Sequence, residues 1–319
     1  MKFLPAFAGA LLGVASLVTA APAADYPSRP VEVIVPTAAG GGTDLLTRAF
    51  ADHANKVFPQ ALGVVNKAGG GGAVGLTQLM AARPNGYTIA MGFVEITTLP
   101  HLGLAAFKAD SFQPIARLNA EPAAVTVRAD SPWQSLEEFL ASAKEEPGKI
   151  RVGNSGTGAI YHLAAAAFGE AAGVEFNNVP FDGANPAVTA LLGGHIEAVT
   201  VSPAEVSNYV DAGQLRILAV MDDHRSTLYP DVPTLTELGY DVNVGTWRGL
   251  FAPKGTPEDV VNTLRELVRT VVEEESFQEQ MKAMKMTFAY LDAPEFEEAI
   301  QRDDAFFADL VPRIGLTQN

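Results

Sequence analysis

Two glycine-rich turns that lie far apart in the sequence decide the fold. The first is VEVIVPTAAGGGTD at residues 31–44, and the second is IRVGNSGTG at residues 150–158. Each turn follows a short apolar run that predicts a buried strand, and each precedes a stretch with helical spacing. The N–H groups of such a turn point toward one spot at the positive end of the helix dipole. The two turns therefore predict a pair of anion sites that hold one ligand from two sides.

Short β-type runs alternate with longer helical stretches along the rest of the chain. Strands are predicted at residues 87–91, 125–127, 150–152, 199–201 and 215–220, and helices at 136–144, 161–172 and 186–192. The run Thr256-Pro257-Glu258-Asp259 predicts a helix start, with Thr256 as the cap and Pro257 at the first helical position. This alternation predicts an α/β fold with mainly parallel sheets. A length of 319 residues predicts about two domains of roughly 100–200 residues each.

Composition and charge exclude several classes of function. The formal net charge is −15 at pH 7, so we predict no nucleic-acid partner, because such a partner requires a basic surface. The chain contains no cysteine, which excludes disulfides, thiol catalysis and thiolate metal sites. Its five histidines lack the spacing of a metal site, so we predict neither a metal nor a cofactor.

The N-terminal segment has the features of a secretory signal peptide. Lys2 is its only charge, and an apolar stretch rich in small residues follows it. Ala21-Pro22-Ala23 fits the small-x-small rule for cleavage, so we predict a signal peptide over residues 1–23 and a mature chain in the periplasm. A retained membrane anchor is the alternative, which Pro5 and Gly9 inside the apolar run disfavour.

Two glycine motifs resemble enzyme signatures. GGGAVG at residues 70–75 matches the dinucleotide pattern G-x-G-x-x-G, but no acidic residue follows at the required distance. GNSGT at residues 153–157 comes close to the G-x-S-x-G elbow of hydrolases, with Thr157 in place of the last glycine. A serine hydrolase that uses Ser155 with His162 is therefore the enzymatic alternative. Without a clear base or metal, the two anion sites favour a clamshell receptor that closes on its ligand about a hinge.

The order and spacing of several short motifs carry a resemblance that covers essentially the whole mature chain. The chain resembles the extracytoplasmic solute receptors of the tripartite tricarboxylate transporter family, also called the Bug family. The matching stretches are residues 26–30, 36–44, 65–75, 84–88, 112–116, 155–163, 179–183, 192–194, 231–239 and 247–253.

The resemblance implies a periplasmic-binding-protein-like (type II) fold with two α/β lobes and a ligand cleft between them. Lobe 1 would comprise residues 24–124 and 246–319, and lobe 2 would comprise residues 125–245. Such a receptor captures a small organic carboxylate, performs no catalysis and delivers the ligand to a two-subunit membrane permease. A ligand-dependent sensor subunit is the alternative that the sequence leaves open, and a monomer is expected.

The same resemblance implies which residues bind the ligand. In this family the two turns hold a ligand carboxylate, mainly through backbone N–H groups and ordered water. This role falls to the residues of the first turn and helix start, Ala38, Ala39, Gly41, Gly42, Thr43 and Asp44, and to the second turn, Ser155, Gly156, Thr157 and Gly158. The far end of the ligand would be bordered by Phe181, Asp182 and Ser202.

Several positions depart from the family pattern. Thr37 and Ala39 stand where phenylalanine and proline are usual, and Asp182 replaces a frequent lysine. Glu95 follows a strand that usually faces the cleft, so Thr37 and Glu95 join the predicted ligand-binding residues. Two acids in place of a cation disfavour a citrate-like ligand, because like charges repel in a cleft of low dielectric constant. We therefore predict a monocarboxylate, or a carboxylate with an amine or neutral polar end, unless both acids point to solvent.

Overall fold

The computed structural model describes residues 26–181 and 183–316. The predicted signal peptide at residues 1–23 and the predicted site residue Asp182 lie outside the described residues. Within the part of the chain that is described, no helix is both long and apolar enough to cross a membrane.

The described residues form eleven strands and ten α-helices. The strands are β1 (Val31–Val35), β2 (Leu62–Asn66), β3 (Thr88–Phe93), β4 (Phe112–Pro122), β5 (Ala124–Arg128), β6 (Arg151–Asn154), β7 (Asn177–Pro180), β8 (Ala198–Val201), β9 (Leu215–Val220), β10 (Gly245–Pro253) and β11 (Phe288–Asp292). The helices are α1 (Gly42–Val57), α2 (Ala73–Ala81), α3 (Glu95–Thr98), α4 (Leu136–Glu145), α5 (Ile160–Ala172), α6 (Ala184–Leu192), α7 (Pro203–Asp211), α8 (Glu258–Glu273), α9 (Glu275–Ala283) and α10 (Ala293–Arg313).

The strands form two mixed sheets, one in each lobe. The six-stranded sheet has the order β11-β4-β10-β3-β1-β2, and the five-stranded sheet has the order β7-β6-β8-β5-β9. The pairs β1–β2, β1–β3, β6–β7 and β6–β8 are parallel, whereas the other strand pairs are antiparallel. The prediction of mainly parallel sheets is therefore wrong. Strands β5 and β10 each begin where the chain crosses over from the other sheet, and both are antiparallel to their neighbours.

The two crossings lie side by side. Ala123 is the single residue between β4 and β5, and residues 221–244 connect β9 to β10. The Ala123 N–H donates to the Val244 carbonyl, and the Ala123 carbonyl accepts from the Met221 N–H over 2.8 Å. These backbone hydrogen bonds join the two connecting segments, which is the arrangement that a hinge between two lobes requires.

Local sequence signals explain several helix starts and faces. The Ser135 hydroxyl accepts the Glu138 N–H at the start of α4, and Ser202 forms a reciprocal capping box with Glu205 at the start of α7. The apolar face of α8 is buried over its whole length, at Val260, Val261, Leu264, Leu267, Val268, Val271 and Val272. One detail of α8 was predicted incorrectly: its N-cap is Pro257, because the Thr256 hydroxyl donates to the Pro253 carbonyl instead.

Candidate ligand-binding cleft

The first glycine-rich turn presents free backbone donors. Strand β1 ends at Val35, and α1 begins at Gly42 with Gly41 as an N-cap that has no side-chain hydrogen bond. The first backbone hydrogen bond of α1 runs from the Leu45 N–H to the Gly41 carbonyl. The N–H groups of Gly42 and Thr43 precede that bond, so they have no acceptor within the helix. Because the preceding residues 38–41 are exposed, this turn can accept an anion.

Asp44 fastens the turn through its side chain. Its buried carboxylate accepts the Gly40 N–H over 2.8 Å and the Asn66 side-chain amide over 2.9 Å. It also accepts a hydrogen bond from the Nε atom of Arg48. Burial raises the pKa of Asp44, but the hydrogen bonds from Arg48, Gly40 and Asn66 outweigh it and hold the pKa below its usual value. The carboxylate therefore stays ionised and holds the turn in shape.

The second glycine-rich turn uses two of its predicted donors internally. It connects β6 to α5, whose N-cap is Ala159. The Gly156 N–H donates to the Asn154 side chain over 3.0 Å, and the Gly158 N–H donates to the His162 ring over 3.0 Å. These bonds shape the turn and leave fewer backbone donors for a ligand than the sequence predicts.

His162 has the environment of a structural residue. Its Nδ1 atom accepts the Gly158 N–H, and burial lowers the pKa of its ring. Among residues 26–181 and 183–316, no carboxylate is hydrogen-bonded to His162, so the orienting acid of a catalytic triad is missing there. The predicted pairing of Ser155 with His162 in a hydrolase finds no support in this geometry.

The remaining predicted residues lie in different environments. The half-buried Phe181 donates its N–H to the Asn154 carbonyl over 3.1 Å. Ser202 is fully buried, and its N–H donates to Glu205 over 3.1 Å in the cap of α7. The Thr37 hydroxyl is buried and has no hydrogen-bond partner among the described residues. A hydrogen-bonding group of the ligand could therefore pair with the Thr37 hydroxyl.

A buried arginine lies beside the first turn, and the sequence prediction missed it. Arg248 on β10 is only 9% exposed, and its Nε donates to the Thr43 hydroxyl over 3.1 Å. A Cβ atom placed on Gly42 would lie 3.0 Å from a terminal nitrogen of Arg248. The first anion site is thus supported by a guanidinium as well as by backbone groups. The available signal was a single charge inside the apolar run of residues 245–253.

Carboxyl groups from both lobes lie near this arginine. Burial raises the pKa of Glu95 and of Glu205 to about 7, although the positive charge of Arg248 acts in the opposite direction on both. Glu121, which is also buried, raises the pKa of Glu205 further. Arg248, Glu95, Glu121 and Glu205 form a charged cluster. The cluster contains residues of both lobes, because Glu205 is on α7 and Arg248 is on β10.

Glu95 points into the protein. It is the first residue of α3 and is 9% exposed. Its Oε2 atom has no hydrogen-bond partner among the described residues. The alternative that the Glu95 side chain points to solvent is therefore wrong.

Comparison with known proteins identifies the family. The family model described as the tripartite tricarboxylate transporter family receptor matches residues 46–316. The chain belongs to this family. Its members are periplasmic solute-binding receptors and not enzymes, which confirms the predicted family and the absence of catalysis and excludes the hydrolase alternative.

Three relatives illustrate how similar the receptor is to other members. A solute-binding protein of this family from Polaromonas shares 49% identity, with a TM-score of 0.81 over 90% of this chain and 99% of that one. MatC from Rhodopseudomonas palustris with bound malate shares 27% identity, with a TM-score of 0.77 over 90% and 100%. Protein BugT of Bordetella pertussis is 29% identical over 98% of the receptor and 95% of its own length. These similarities confirm the predicted two-lobed fold.

The two lobes of the receptor touch around the cleft. A Cβ atom on Gly158 would lie 3.1 Å from Leu102 of the other lobe. Lys285 pairs with Asp211 of the other lobe over 2.6 Å. Three surface cavities of about 420, 500 and 570 Å³ lie elsewhere, and no predicted site residue lines them. The structure thus brings the two glycine-rich turns, Glu95 and Arg248 to one interlobe region.

Proposed function

We propose that this receptor captures a small organic carboxylate between its lobes and delivers it to a two-subunit membrane permease. The proposal rests on the geometry of the first glycine-rich turn. There the free N–H groups of Gly42 and Thr43 lie beside the buried guanidinium of Arg248. Backbone donors at a helix N-terminus together with a cation suit a carboxylate. The malate bound to MatC, which has the same fold and 27% sequence identity, supports this ligand class.

The proposed ligand-binding residues are those that the sequence predicts, with Arg248 added. They are Thr37, Ala38, Ala39, Gly41, Gly42, Thr43, Asp44, Glu95, Ser155, Gly156, Thr157, Gly158, Phe181, Asp182 and Ser202. Within this set, Asp44 and Ser202 act by shaping the turn and the start of α7, because their side chains already have partners. The backbone of the first turn makes the main contact.

We further propose that the mature chain is a periplasmic monomer, exported by a signal peptide that is removed after residue 23. The mass and N-terminal sequence of the protein recovered from the periplasm test this cleavage. Association with the permease is tested by co-purifying the receptor with two candidate permease subunits, with and without ligand. A partner that binds equally well without ligand would contradict delivery.

A thermal-shift screen tests the carboxylate assignment. The protein is unfolded, dialysed and refolded to remove any bound ligand, and is then mixed with organic acids and with neutral amides of the same carbon skeletons. A ligand at about 100 times its Kd stabilises the folded state by about 2.7 kcal/mol. We expect stabilisation by acids and none by the matched amides. Equal stabilisation by both would contradict the proposal.

A further inference from the structure

The second turn lies opposite a carboxyl group of the protein itself. The N-terminus of α5 begins at Ile160 in one lobe, and Glu95 belongs to the other. Although burial raises the pKa of the Glu95 carboxyl group, the Ile160 backbone N–H acts to lower it, so the two groups lie close together across the cleft. The loop that follows Glu95 reaches the same turn, because Leu102 lies against Gly158. A carboxyl group of lobe 1 thus stands at the anion site of lobe 2.

This carboxyl group has unused hydrogen-bonding capacity. Glu95 is 91% buried, being 9% exposed, yet its Oε2 atom has no partner among the described residues. Buried polar atoms are nearly always hydrogen-bonded, so an unpartnered one beside a ligand cleft indicates a place for a ligand donor. An N–H or O–H group of a ligand would pair with the ionised Glu95 carboxylate, whereas a ligand carboxylate has no hydrogen to donate.

The charge around Glu95 favours the same end group. Arg248 is the cation of this cluster, and Glu95, Glu121 and Glu205 are its three carboxyl groups. The first turn and Arg248 suit one ligand carboxylate. Above about pH 7, where Glu95 and Glu205 are ionised, the remaining negative charge of the cluster attracts a cation and repels a second carboxylate.

We propose that Glu95 determines ligand specificity: it takes the place of a second ligand carboxylate at the start of α5. The preferred ligand is then a monocarboxylate whose other end donates hydrogen bonds, with an ammonium group preferred. This inference rests on the proposed carboxylate-binding function and extends it to the class of ligand.

Paired ligands test the role of Glu95. At about pH 8, above the pKa of Glu95, the refolded protein is titrated calorimetrically with straight-chain acids of equal length that end in an ammonium, a hydroxyl or a second carboxylate. For the chain length that binds best, we expect the ammonium acid to bind at least roughly tenfold more tightly than the dicarboxylate. Glu95→Gln removes the charge and adds a donor, so we expect it to reduce this ratio by roughly tenfold or invert it. Glu279→Gln on the exposed face of α9 makes the same change in net charge and should leave the ratio unchanged.

The outcomes separate the two proposals. Tighter binding of the dicarboxylate by the unaltered protein would overturn the role of Glu95 while leaving carboxylate binding intact. So would an unchanged ratio in Glu95→Gln. The comparison of ligands on the unaltered protein needs no variant, so it decides the question even if Glu95→Gln does not fold. Absence of binding to every acid, including the panel of the thermal-shift screen, would overturn both proposals.

Discussion

Arg248 donates a hydrogen bond from its Nε atom to the Thr43 hydroxyl over 3.1 Å, although the two residues are 205 positions apart in the chain. The bond joins the antiparallel strand β10 to the first turn of α1. It places a buried cation next to the free N–H groups of the first glycine-rich turn. Arg248 also lies 3.5 Å from the Asn119 side chain, so it connects the turn to the centre of the six-stranded sheet.

Replacing Arg248 should destabilise the protein strongly. Arg248→Met removes the buried donor to the Thr43 hydroxyl and the positive charge that acts on Glu95 and Glu205, which costs about 1.5–3 kcal/mol. The free energy of unfolding in urea measures the effect. Arg128→Met is the control, because Arg128 pairs with the exposed Asp130 at the surface and should cost less than about 1 kcal/mol. Equal costs for the two variants would show that the buried cluster does not depend on Arg248.

The raised pKa of Glu205 predicts a decrease in stability at high pH. The pKa is 4.5 for the free side chain and about 7 in the fold, mainly because of burial. The stabilisation from this group is fully present below the unfolded pKa and is lost as the pH rises through the folded pKa. We expect Glu205→Gln, which keeps the capping function, to make the decrease between about pH 5 and about pH 8 shallower, by up to about 3 kcal/mol.

Glu197 provides the control for this pH dependence. Burial raises its pKa, but hydrogen bonds from Arg151 outweigh that effect and lower the pKa below 4.5. Its stabilisation is therefore lost only as the pH falls through that lower value. Urea unfolding of Glu197→Gln should thus show the slope of the unaltered protein above about pH 5. A Glu205→Gln slope as steep as that of Glu197→Gln would contradict the assignment to Glu205.

Asp44 should matter for both stability and binding. Asp44→Ala leaves the Gly40 N–H and the Asn66 amide without their acceptor, which costs about 1–3 kcal/mol. Without the hydrogen bonds to the Asp44 carboxylate, the turn should exchange its amide hydrogens faster and bind a carboxylate less tightly. Hydrogen exchange over residues 38–43 and calorimetric titration measure the two effects. Asp52→Ala on the exposed side of the same helix should change neither, and a similar effect there would refute a specific role for Asp44.

Gly158 should be needed for closure of the lobes. It has a φ of 78°, and an added Cβ would lie 3.1 Å from Leu102 across the cleft. Gly173 has a φ of 64° with nothing within 4 Å of an added Cβ. Changing either to alanine should cost about 1–2 kcal/mol of stability, because both backbones are left-handed. Only Gly158→Ala should also weaken ligand binding, as measured by titration, so equal affinities of the two variants would disprove the contact.

The sequence alone determined the features that depend on neighbouring residues. The two strand–turn–helix units follow from glycines that permit positive φ and from helix starts that leave N–H groups free. The buried face of α8 follows from apolar spacing, and Ser202 with Glu205 forms a local capping box. Together with the order of the family motifs, these signals predicted the two-lobed fold and the receptor family. The interactions behind them span only a few residues, so they can be recognised without the fold.

Only the tertiary structure decided what surrounds the turns. Arg248 reaches Thr43 because β10 returns from the other lobe and runs antiparallel beside β3. Glu95 reaches the start of α5 because the two lobes meet there, as Leu102 and Gly158 also do. Besides burial, groups of the other lobe act on the pKa of the buried acids, Ile160 on Glu95 and Arg248 on Glu205. Desolvation and charge pairing depend on distances through space, and residues far apart in sequence set those distances only when the whole chain has folded.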